Sequence, residues 1–235
     1  MLELDPRIGT PAARVDEALL DERYPDMAHW GRAGVEGGMP RVGVRFEVEP
    51  TVSAQVLQSL IDEAAESGGG AILFKKGEYE IPQTLHLRSG VVLRGEHFDQ
   101  VKLHLTMRGT WNQQWRPEPV FAAGIVGEGI SHAGLEQLSL VYDQSLRRPP
   151  TLRHMEKAFD DNPHKDNEQY VVSVEFRRCS NCWVDSCRII DSGSSPLSFV
   201  RCRHMTARFC ELVGAHNKHG GMAYVNVSRS EYCLL

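Results

Sequence analysis

The last third of the chain repeats itself with a fixed period. An offset of 23 residues places Cys179 on Cys202 and Val225, Cys187 on Cys210 and Cys233, and Phe176 on Phe199 and Met222. The same offset puts Cys182 on Met205, and Ile189 on Leu212 and Leu235. Small or apolar residues thus recur at equivalent places in three consecutive units, which is the signature of a solenoid.

Within each unit the apolar residues alternate over short stretches, as in VSVEF, CWVDSCRII and LSFV. That is the period of a strand and disfavours a helical solenoid. Short strands, turns rich in Gly, Ser and Asn, and a period of 23 describe the coils of an all-β parallel β-helix, each stacked about 4.8 Å above the last. The cysteines then form inward ladders. Cys179 and Cys182 also have the spacing of half a zinc site or a redox pair. The repeat replaces Cys182 by Met205 and Cys202 by Val225, so small polarizable core filling explains the pattern without a metal or a disulfide.

The 235 residues, 41% of them hydrophobic, suffice for a substantial core and exclude wholesale disorder. Twenty-six basic and 31 acidic side chains leave a formal charge of −5, which excludes a chain that coats nucleic acid or a polybasic membrane protein. No apolar run approaches the roughly 18 residues of a membrane helix. The opening MLELDPRIGT lacks the basic-then-apolar order of a secretory signal.

Residues 1–50 carry Pro, Gly and charge without clean periodicity and are expected to form an irregular lead-in packed along the solenoid. From residue 51 to 235 a capping helix and the β-helix should follow. TVSAQVLQSLIDEAAESGGG places Val52, Val56, Leu57, Leu60, Ile61 and Ala64 on one helical stripe and ends in glycines, so this helix can cover the open first coil. AILF, YEI, LHL, VVLRG, VKLHL, VFAAGIV and LEQLSLVY then read as strands of early coils. Residues 106–119 and 143–169 are too polar and Pro-rich to be coils and should project as loops.

The run GGGAILFKKGEYEIPQTLHLRSGVVLRGE resembles the opening coils of the pectate-lyase superfamily, where a helix, a Gly run and strand–turn–strand lead into an SGVxLRG element. The upstream PDMAHWGRAGVEGGMP and the coils after Val171 extend the likeness over most of residues 25–235, although a Gly-Asp-Gly or Asp-Asp signature before the helix is absent. The resemblance implies a right-handed parallel β-helix of the pectin-lyase-like kind, a fold that serves polysaccharide lyases, glycoside hydrolases and phage tailspikes. It implies a polysaccharide or oligosaccharide partner, with neither nucleic acid nor membrane. Secretion or a periplasmic location would follow from it, whereas unpaired cysteines suit a reducing compartment. Because such proteins run longer and this chain stops at EYCLL inside a coil, an N-terminal portion of a longer protein is expected.

Stacking also orders the outward residues. Asp185 should lie under Arg208 and Arg208 under Glu231, with Arg188 under Glu211. Two carboxylates two coils apart would be about 9.5 Å from each other, the upper edge for an inverting glycosidase, but the intervening arginine favours a structural charge ladder. The turn GAHNKHGG crowds His216, Lys218 and His219, and aligns with Gly193–Pro196 one coil earlier. Lys218 is the candidate base for removing the C5 proton of a uronate. Arg201 or Arg203 would neutralise the uronate carboxylate, and His216 or His219 would carry the proton. A solvated, glycine-bearing turn is the alternative.

Trp111, Trp115 and Arg116 are candidates for substrate binding, since flat aromatic faces match the apolar side of a pyranose and a guanidinium binds acids. Packing of that loop onto the stack would use the same tryptophans. Asp160, Asp161, Asn162, Asp166, Asn167 and Glu168 could ligate calcium, but the spacing fits no EF-hand and an acidic surface loop is the commoner explanation; no cofactor is otherwise required. The sequence therefore predicts a carbohydrate-active β-helix protein that cleaves a polysaccharide by β-elimination or hydrolysis, or else a non-catalytic glycan-binding module of the same fold.

Overall fold

A computed structural model describes residues 33–107, 122–142, 171–215 and 224–235. The chain winds as a parallel β-helix of three sheets, all parallel. The first sheet is β1 (Val44–Val48), β2 (Gly70–Phe74), β5 (Val91–Gly95), β8 (Gly134–Glu136), β11 (Trp183–Asp185) and β14 (Thr206–Arg208). The second stacks β3 (Gly77–Ile81), β6 (Val101–Leu105), β9 (Ser139–Tyr142), β12 (Arg188–Ser192) and β15 (Glu211–Ala215). The third holds β4 (Leu85–His86), β7 (Ala122–Glu128), β10 (Val171–Arg177), β13 (Leu197–Val200) and β16 (Val225–Ser228). A full coil visits the third, first and second sheets in turn.

Alternation sends every second side chain inward, and register stacks like on like. Ile72, Leu93, Leu135, Val184 and Ala207 form one interior column, and Tyr79, Leu103, Leu140, Ile189 and Leu212 another. Phe176 lies under Phe199 with ring centroids 5.9 Å apart. Burying each such side chain stabilises the fold by about 1.5–3 kcal/mol. The corners repeat as faithfully: left-handed backbone recurs at Arg178, Arg201 and Arg229, and at Asn181, His204 and Tyr232.

Those corners expose a change of step. Between β10–β12 and β13–β15 equivalent residues are 23 apart, but Leu197 pairs with Val225 and Phe199 with Val227, a step of 28. The cause is local: four residues join β12 to β13, whereas nine join β15 to β16. Cys187 and Cys210 stack as expected, but Cys233 stands over Met205, whose carbonyl accepts from the Leu234 amide at 2.8 Å. By the same shift Val225 lies over Leu197 and not Cys202, and Leu235 falls over Ala207 and not Leu212. All six cysteines are free, and Cys179, Cys182, Cys187 and Cys202 are buried.

Helix α1 (Ala54–Glu66) closes the base. Ser53 caps its N-terminus by accepting from the Val56 amide, and left-handed Gly68 and Gly69 end it. Ala54, Leu57, Ile61 and Ala64 face the core, while Val56 is exposed instead of joining the stripe. Its Gln58 side chain does what a strand would do. The Nε2 donates to the His86 carbonyl at 3.0 Å and Oε1 accepts from the His86 amide at 2.8 Å, pairing the lower edge of β4, which has no strand partner among the described residues.

The segment before β1 runs down the outside of the first sheet. Val35 packs with Ala71, Val92 and Trp183, joined by Met39 and Val42. Gly34 donates to the Tyr232 carbonyl at 2.8 Å, Val35 to Thr206 Oγ1 at 3.0 Å, and Glu36 to Asn181 Oδ1 at 2.9 Å. Near the base the Arg94 guanidinium reaches the Val42 carbonyl at 2.9 Å. A strap thus ties the last coil to the first, and residues 44–48, whose VRFEV alternates apolar and polar residues, enter the first sheet as β1 instead of remaining an irregular lead-in. No helix among the described residues is long and apolar enough to cross a membrane.

Candidate functional site

Connection length singles out one corner. Turns from the third sheet to the first, and from the first to the second, are short throughout. The long connections between sheets, 106–121, 143–170 and 216–224, all leave the second sheet and enter the third. Solenoids place functional loops where insertions leave the stack undisturbed, so this corner and the adjoining third sheet are the natural place for a site. Trp111, Trp115, Arg116, His216, Lys218 and His219, and the acidic set from Asp160 to Glu168, belong to these connections and lie outside the described residues. Among the described residues no group of three His, Cys, Asp or Glu could hold a metal ion.

Arg201 and Arg203 sit at the opposite end of β13, across about 13 Å of strand. Arg201 is in left-handed backbone, and its amide donates to the Ser228 carbonyl at 2.8 Å. Arg203 Nε is 3.5 Å from Glu231 Oε2, and its guanidinium stands 5.6 Å from the Tyr232 ring centroid. Glu231 therefore stacks on Arg203 and not on Arg208, contrary to the 23-residue ladder. The lower rungs of that ladder hold, with Arg208 Nε 3.1 Å from Asp185 and Arg188 Nε 2.6 Å from Glu211. These are structural pairs between neighbouring coils.

The third sheet carries a different group. Val174 and Phe176 point into the core, so Glu175 between them points outward, yet only 3% of it is exposed. Its neighbours above and below are Ser198 and Val126, neither of which can neutralise it. Arg177, two residues along the same strand, places Nε 2.8 Å from Glu175 Oε1. Burial nonetheless pushes the Glu175 carboxyl above the usual glutamate range, against the pull of Arg177 and with a small further push from Glu128. Glu128, one coil below Arg177, also contacts Arg178.

Serine hydroxyls occur on the strands beside this carboxyl and on the adjoining turn. Ser198 is 3% exposed and accepts from Asn226 Nδ2 at 3.1 Å on the next coil. Ser173 and Ser192 hydroxyls bond at 2.9 Å, and at the tight turn 193–196 the hydroxyls of Ser194 and Ser195 are buried with no hydrogen-bond partner among the described residues. A buried carboxyl whose proton affinity is raised by burial and which one arginine anchors can serve as a proton donor.

Sequence reasoning passed over Glu175, Arg177 and Ser198. The signal was present in VSVEF, whose alternation turns Glu175 outward, while the 23-residue offset sets it against Ser198 instead of a cation.

No protein-family model matches the sequence, and no curated protein matches it. Among solved structures, the chain is similar to a protein from Parabacteroides merdae assigned as a glycosyl hydrolase, at 14% identity and a TM-score of 0.52, over 78% of this chain and 80% of that one. It is also similar to a hyperthermoactive exopolygalacturonase from Thermotoga maritima, at 16% identity and a TM-score of 0.50, over 78% of this chain and 50% of the other.

Proposed function

With the fold of the pectin-lyase-like parallel β-helices established by architecture and by these likenesses, we propose that the chain is carbohydrate-active, binding a polysaccharide along its third sheet and cleaving it there. One observation carries this reading: the outward-facing but buried Glu175, its proton affinity raised by burial, on the sheet that the long inter-sheet connections enter. Glu175 donates a proton to the departing glycosidic oxygen, and Arg177 fixes the carboxyl's orientation.

Lys218 on the 216–224 connection supplies the base in the β-eliminating version, with His216 or His219 carrying the proton and Arg201 or Arg203 drawing the uronate carboxylate. Trp111, Trp115 and Arg116, on a connection anchored at the same corner, contact the sugar. A binding-only reading has one point in its favour: the in-register neighbours of Glu175 above and below, Ser198 and Val126, are not carboxylates.

The test is a panel of uronate and neutral polysaccharides, assayed for reducing ends and for the ultraviolet absorbance of an unsaturated product. Cleavage that falls at least about 10²-fold in Glu175→Gln supports the reading. Absorbance identifies elimination, whereas reducing ends without it identify hydrolysis. Retained polysaccharide binding with no cleavage by the wild type would establish the binding module instead.

A further inference from the structure

The corner where the third sheet hands over to the first carries one residue type on three successive coils. Arg178, Arg201 and Arg229 directly follow Arg177, Val200 and Ser228, which are in register, and each adopts left-handed backbone, with φ of 52°, 56° and 50°. Their amides continue the ladder: Arg178 donates to the Val200 carbonyl at 2.9 Å and Arg201 to the Ser228 carbonyl at 2.8 Å. Glycine accepts such backbone without strain, and Gly129 holds the equivalent place one coil below. Corner geometry alone does not select arginine, because the left-handed column at the next corner reads Gln137, Ser186 and Phe209.

Stacking sets successive members about 4.8 Å apart, so the column runs along the solenoid axis for about 10 Å. The Arg178 side chain is 54% exposed, and Arg201 and Arg229 are exposed. Like charges in direct register repel. The outward cations Arg94, Arg208, Arg188 and Lys102 of the other two sheets each meet a carboxylate one coil away instead. At the column, Glu128 contacts Arg178, while Glu231 pairs with Arg203 at its side. A chain with a net charge of −5 thus presents a local cationic strip at the end of the sheet that carries Glu175.

We propose that Arg178, Arg201 and Arg229 form a docking strip for a linear polyuronate lying along the solenoid axis, one carboxylate to each coil. An extended uronic-acid polymer carries one carboxylate per sugar, and a sugar ring is about as long as a coil is high, so the two partners share a repeat. Each planar guanidinium can hold a carboxylate through two parallel N–H···O bonds, and the bound polymer relieves the repulsion within the column. The inference rests on the polysaccharide reading above for the kind of polymer and adds its charge and its direction.

The experiment titrates the native full chain with oligogalacturonates of increasing length by calorimetry, in wild type and in Glu175→Gln, so that binding is read with or without cleavage. Carboxyl-reduced oligomers and a single-stranded oligonucleotide serve as comparisons. Affinity should rise steeply up to the trisaccharide and flatten beyond it. Arg178→Gln, Arg201→Gln and Arg229→Gln should each raise Kd about 1.5–5-fold, and the triple variant about 10-fold or more. Lys102→Gln, which removes the same charge from the second sheet, should leave Kd unchanged, and the exposed positions of the variants should leave Tm unchanged. A triple variant that binds as the wild type does, or equal affinity for the carboxyl-reduced oligomers, would overturn the strip and leave the polysaccharide reading standing. Equal affinity for the oligonucleotide would reveal an unselective cationic surface and overturn the strip as well. Binding of no saccharide by the wild type would overturn both.

Discussion

On the first sheet, outward charges meet opposite charges one coil away, whereas on the third sheet the outward carboxyl of Glu175 meets Ser198 and Val126. Arg94 and Glu136 pair at 2.5 Å, Glu136 also accepts from Trp183 Nε1 at 2.8 Å, and Arg208 closes on Asp185. The strap covers what remains. The contrast shows how a β-helix separates scaffold from site: in-register stacking neutralises charge wherever sequence supplies a partner, and leaves proton affinity altered where it does not.

The largest way to break this contrast is to open the sealed face. Trp183 is fully buried between strap and sheet, so Trp183→Ala should cost about 3–5 kcal/mol in urea unfolding and free the strap, visible as faster amide exchange at residues 34–36. A subtler attack is Gly134→Ala, whose new Cβ would stand 2.5 Å from the Trp183 ring; about 1–3 kcal/mol should be lost in the same assay.

The third sheet is probed by pH. Because the folded Glu175 carboxyl lies above its unfolded value of 4.5, its contribution is full below that pH and is lost as pH rises through the raised value, with a slope of at most about 1.4 kcal/mol per pH unit. Unfolding curves of Glu175→Gln should lack this descending component. Glu78 and Glu96 behave oppositely, held low by Lys102 and by the Lys76 amide respectively, so their contribution is present above pH 4.5 and is lost as pH falls through their folded values. The smallest effect is at the base, where Gln58→Ala removes two hydrogen bonds from His86 and should cost about 1 kcal/mol, with exchange quickened at the His86 amide alone.

Much of the scaffold was legible because a solenoid writes its contacts into a period. The cysteine and phenylalanine alignments between 171 and 215 are spatial neighbours, and the helix stripe was misjudged only at Val56. The last coil misled because an offset of 23 cannot register five extra residues in a connection; an offset of 28 would have matched Met205 to Cys233 and Phe199 to Val227. The strap was invisible for another reason. Val35 meets Thr206 across 171 residues of sequence, and AGVEGGMPRVG has no period to betray such a contact. At the site, titratable clusters such as GAHNKHGG drew attention, whereas Glu175 gains its character from burial, which a sequence does not display.

Amide hydrogen exchange with and without a cleaved or bound polysaccharide tests the assignment of faces most directly. Slowed exchange over Val171–Arg177 and Leu197–Val200, with residues 33–43 and Trp183–Asp185 unchanged, is the predicted outcome. Protection confined to the strap and the first sheet would contradict it.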